Sequence, residues 1–85
     1  MAEIPRKVVD VLAQIINVIP EENKEVLISL KQLKKSYSQT LWYTAPEIIN
    51  MKNAQFFQDL CIYLPTLEVN DDILEKIKNI FENKN

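Results

Sequence analysis

PEENKEVLISLKQLKKSY, residues 20–37, decides the fold. Val26, Leu30, Leu33 and Tyr37 recur at steps of three and four, with Leu27 widening the row. That is the period of one face of an α-helix. Lys24, Lys31 and Lys35 share another face, and Ile28 beside them is the only large aliphatic residue far from the apolar row. Glu21, Glu22 and Glu25 complement the positive end of a helix dipole. The segment reads as a helix from about Glu21 to Tyr37 or slightly beyond.

The same grammar extends in both directions. Prolines at 5, 20, 46 and 65 punctuate the chain into four helical segments, since proline is tolerated in a first turn and not inside a helix. The first runs from about Pro5 to Ile19. Its core face is Val8, Val11, Leu12, Ile15 and Ile19, and its polar stripe is Lys7, Asp10, Gln14 and Asn17. Val9, Ala13 and Ile16 form a further apolar sector, so this helix is greasy over more of its circumference than one core face requires.

Downstream, Thr44-Ala-Pro-Glu47 reads as a capping box, with Tyr43 and Ile48 at the two positions of a hydrophobic staple. The helix it opens continues through Ile49, Phe56, Phe57, Leu60, Cys61 and Leu64 and stops before Pro65. Asn53 falls on its apolar face. A buried, unpaired amide costs about 1–3 kcal/mol, so a break near Lys52-Asn53 is expected, with Asn53 capping a new turn. A last helix follows Asn70, carrying Asp71 and Asp72 in its first turn and the apolar face Ile73, Leu74, Ile77, Ile80 and Phe81. No segment alternates with period two. The expectation is one all-α domain over residues 1–85, a bundle of four helices, or five if the third segment breaks.

Composition removes much chemistry. The 85 residues contain no histidine, which excludes the commonest general base and metal ligand. Nor is there a glycine, which excludes phosphate-cradling loops and denies every helix its usual C-terminal cap. The helix ends must be set by proline and polar residues. The single cysteine, Cys61, forms no intrachain disulfide and is expected to be a buried structural thiol. No catalytic residue, metal site or cofactor is assigned. The acidic groups Glu21, Glu22, Glu25 and Asp71, Asp72, Glu75 begin helices, where the dipole accounts for them.

A net charge of −2 and the near absence of arginine argue against nucleic acid as the default partner. The stretch after Arg6 and Lys7 is interrupted by Asp10, Gln14 and Asn17, so it is neither a signal core nor a membrane span. A reducing, cytoplasmic setting is expected. Lysine outnumbers arginine and isoleucine and asparagine are abundant, which points to an AT-rich genome such as that of a low-GC bacterium, a phage or plasmid, or a large DNA virus or protist.

Two features carry functional weight. Trp42 belongs to no periodic row and no cap, so it is either a core filler at a helix corner, the favoured reading, or a hot spot on a partner surface. The sector of Val9, Ala13 and Ile16 either is covered within the bundle or mediates a homodimer. Trp42, Ile28, Lys31, Lys35, Val9, Ala13 and Ile16 are therefore the candidate partner-binding residues. In helix count and in the segment NKEVLISLKQLKK, the chain resembles in layout the small four-helix immunity proteins of low-GC Gram-positive bacteria; no diagnostic motif accompanies the resemblance. The expected function is a non-enzymatic module that binds another protein. The alternative is a nucleic-acid-associated regulator using Lys24, Lys31, Lys34 and Lys35.

Overall fold

The computed structural model of the chain describes residues 8–82. It contains four α-helices, α1 (Val8–Val18), α2 (Lys24–Trp42), α3 (Ile49–Tyr63) and α4 (Asp71–Glu82), and no strand among the described residues. Short 3₁₀ turns at Pro46–Ile48 and Leu64–Thr66 lead into and out of α3.

Helix α1 is the hub. It packs against α2, α3 and α4, and Val8, Val11, Leu12 and Ile15 are buried between them. Three neighbours are the reason its sequence is apolar on more than one face. From α2 come Leu30 and Tyr37, from α3 Leu60, and from α4 Ile73 and Ile77. Leu64 and Leu67 close the core beside the α3–α4 connection. Tyr37 stacks on Phe56 with ring centroids 4.0 Å apart and planes 11° from parallel, joining α2 to α3. Phe57 and Phe81, centroids 5.7 Å apart and tilted by 60°, join α3 to α4. Such pairs add about 0.5–1.5 kcal/mol beyond the area they bury.

Helix ends are finished without glycine, and no described residue adopts a positive φ. Two threonines take over. The Thr44 hydroxyl donates to the Thr40 carbonyl at 2.7 Å, and the Thr66 hydroxyl donates to the Tyr63 carbonyl at 2.6 Å. Each adds a donor near a helix end, where the backbone ladder runs out of N–H partners, and the Thr40 carbonyl also accepts the Tyr43 N–H at 3.2 Å.

Several expectations are corrected here. Helix α2 begins at Lys24, with Glu21 and Glu22 in the preceding turn, and it runs on through Trp42. Thr44 consequently ends α2 and does not cap α3. The residue before a proline is driven to extended backbone. Ala45, before Pro46, has φ −61° and ψ 141°, so the cap position falls on Ala45, which has no side chain to cap with. The Tyr43–Ile48 staple is not formed: both side chains are exposed.

Asn53 does not break its helix. It lies inside a continuous α3, buried, and is satisfied on both sides. Its Nδ2 donates to the Ile49 carbonyl at 3.2 Å, and its Oδ1 accepts the Val8 backbone N–H at 3.1 Å. Cys61 is exposed and not buried. Phe57 is half-buried.

Candidate functional site

Helix α2 has two distinct faces. Leu30 and Tyr37 are buried, and Val26, Leu27, Leu33 and Leu41 pack partly against the core. Turned about 130° away, at about 100° per residue, Lys24, Ile28, Lys31, Lys35, Ser38 and Trp42 follow one another at steps of four and three, and all six are exposed. Of the predicted site residues, Ile28, Lys31, Lys35 and Trp42 therefore share one straight outward seam about 27 Å long, at 1.5 Å per residue.

Trp42, the last residue of α2, is 82% exposed, which overturns the expectation of a buried indole. The reason lies in the length of α2. A core helix that continues five residues past Tyr37 carries position 42 round to the solvent side. Tyr43, the next residue, is 84% exposed, and Ile48 at 42% and Met51 at 63% are also exposed, before and at the start of α3. Pattern reading assigned Tyr43 and Ile48 to a staple and gave Met51 no role. The signal that could have found them was Pro46, which fixes where the cap must sit.

Two depressions adjoin along this face. One, of about 240 Å³, is lined by Lys31, Lys34, Lys35, Ser38 and Gln39. The other, of about 460 Å³, lies among Ser38, Leu41 and Trp42 of α2, Val9 and Asp10 of α1, Thr44 in the turn, and Ile49 and Asn53 of α3. Ser38 belongs to both, so a basic hollow runs into a mixed one, apolar at Val9, Leu41, Trp42 and Ile49 and polar at Asp10, Ser38, Thr44 and Asn53. Within the described part of α2 there are four lysines and one acidic residue, in a chain whose net charge is −2. Positive charge is concentrated on the same helix that ends in the aromatic corner.

Val9 joins this surface, while Ala13 and Ile16 do not. All three are half-buried, with Val9 and Ile16 packed partly against the core. A second apolar groove, of about 600 Å³, opens between Leu64 and Pro65 on one side and Leu74, Ile77 and Phe81 on the other, with Cys61 at its edge.

Titration is perturbed at Tyr37, whose phenol is held above its ordinary pKa by burial and, secondarily, by the negative charge of Asp59. Among the described residues no group of three or more cysteine and acidic side chains is placed to hold a metal ion. No described helix is long and apolar enough to cross a membrane.

Fold and surface together define a small all-α helical bundle that exposes a basic helix face ending in an aromatic corner. Comparison with family models, with curated proteins and with solved structures found no match for this chain.

Proposed function

We propose that this chain is a non-enzymatic interaction module, a regulatory, inhibitory, immunity-like or accessory protein that acts in the cytoplasm by binding another protein through the outward face of α2. The observation that carries this reading is the exposure of Trp42 and Tyr43, consecutive in sequence at the end of α2. Two large aromatic side chains exposed at one helix end of an 85-residue bundle are surface that water solvates poorly. Tryptophan and tyrosine, together with a flanking cation, are the residue types that dominate binding hot spots. The absence of histidine and glycine supports a role that needs no catalytic base and no phosphate loop.

The lysine-lined hollow supports a second reading, a nucleic-acid-associated regulator, because Lys31, Lys34 and Lys35 converge there with Ser38 and Gln39. Ionic strength separates the two. Binding driven by lysine–phosphate contacts falls steeply between low and moderate salt, and apolar docking does not.

The test is a paired measurement on Trp42→Ala, using a partner recovered from the source organism. Binding should weaken by about 2 kcal/mol or more, while the stability of an exposed position should change by no more than about 0.5 kcal/mol. Undiminished binding would remove Trp42 from the interface.

A further inference from the structure

The geometry points to the occupant. We propose that the outward seam of α2 takes an acidic amphipathic helix of a partner protein, its carboxylates over Lys31, Lys34 and Lys35 and one large apolar side chain lodged between Trp42, Leu41, Val9 and Ile49. This rests on the reading of the α2 face as a partner surface and specifies the partner's chemistry.

Three observations carry it. First, the exposed seam from Lys24 to Trp42 repeats at alternating steps of four and three that match the turn of a straight α-helix, about 3.6 residues, so it runs straight along α2 and can lie against a second helix along its whole length. Second, Lys31, Lys34, Lys35 and Ser38 stand at i, i+3, i+4 and i+7. Those are the four corners of a hole that receives one side chain from a facing helix, and the hollow there is open. The next hollow along the seam shares Ser38 and is rimmed by Leu41 and Trp42. Third, the charge is one-signed at the basic hollow, while the next is mixed, with Val9, Leu41, Trp42 and Ile49 beside Asp10, Ser38, Thr44 and Asn53. The complement is therefore a helix that is acidic in one turn and, a turn further on, carries an apolar side chain and no carboxylate to meet Asp10.

Other occupants fit less well. The seam holds two large apolar residues, Ile28 and Trp42, too few for a helix that lies in a bilayer interface. Net charge −2 and lysine in place of the bidentate arginine disfavour a nucleic-acid backbone. Among the described residues there is no strand, hence no sheet edge for an extended peptide to join.

Trp42 is the only tryptophan in the chain, so its emission reads this corner alone. The probes are synthetic helical peptides without tryptophan or tyrosine, glutamate-bearing on one face, with a single leucine moved through the seven positions of one heptad. A matching member should shift Trp42 emission to the blue and shield it from acrylamide. Lys31→Glu with Lys35→Glu should weaken that binding at least about tenfold, and a lysine-bearing version of the same peptide should bind the double variant and not the parent. Equal binding by a proline-broken peptide of the same composition would overturn the helical occupant. A response to duplex DNA or to anionic phosphatidylglycerol vesicles at lower concentration than to any peptide would overturn the partner class. No response to any member of the series would overturn the acidic-helix inference. The broader reading of a partner surface would then be judged separately, by crosslinking from position 42.

Discussion

The side-chain oxygen of Asn53, in the middle of α3, accepts the backbone N–H of Val8 at the start of α1, across 45 positions of sequence. One buried amide thus satisfies a buried backbone donor and ties α1 to α3. Asn53→Ala leaves the Val8 N–H buried without that partner. It should cost about 1–3 kcal/mol, and amide exchange at Val8 should accelerate before exchange in α4. Unchanged exchange at Val8 would show that the bond is not made in solution.

Thr44→Ala removes a hydroxyl donor at the end of α2 and not a cap at the start of α3. The loss should be about 0.5–1.5 kcal/mol. Exchange should rise at the Tyr43 and Thr44 amides, which bond the last turn of α2. Fraying confined to Ile49 and Asn50 would instead restore the capping box.

The Tyr37 phenol has a folded pKa above its unfolded value, so near pH 10 the folded chain holds a proton that the unfolded chain gives up. Stability should therefore be unaffected by this group below about pH 10 and fall as pH rises through the unfolded value towards the folded one. Tyr37→Phe should flatten that component of a plot of denaturation midpoint against pH, with little change at pH 7. Parallel curves for the two proteins would refute the assignment.

Helix α1 has three neighbours, so Val9→Glu should destabilise by about 1–3 kcal/mol through burial of a charge without altering the sedimentation coefficient. A parent chain that sediments as a dimer, with a folded monomeric variant, would establish the twin interface through Val9, Ala13 and Ile16. Leu30→Ala, at a fully buried position, should cost about 2–5 kcal/mol, and half-buried Phe57→Ala less than the full range for a buried aromatic, about 3–5 kcal/mol.

Periodicity was enough to place the helices, because burial of an apolar stripe is the dominant local constraint and Leu12, Leu30, Leu60 and Ile77 all obey it. It was not enough for Asn53, whose partner is the distant Val8 and therefore leaves no local pattern. It failed at the α2–α3 corner for a different reason. Two local rules competed there, a threonine cap and a pre-proline extended residue, and the steric rule at Ala45 prevailed. That displaced Trp42, Tyr43 and Ile48 together from structural roles to the surface. For Ile28, Lys31 and Lys35 the solvent-facing position was readable from α2 itself, whereas their continuity with Trp42 depended on where the helix stops.

The most direct test of the central claim, that the aromatic end of α2 is a partner surface, is photo-crosslinking in the source organism. A photoreactive phenylalanine replaces Trp42, and in a control chain it replaces Glu68, which is exposed in the connection between α3 and α4. Position 42 should yield a discrete adduct with one protein, absent from the control and lost when Lys31→Glu and Lys35→Glu are added. A folded chain that gives no adduct from position 42, or the same diffuse adducts as position 68, would contradict it.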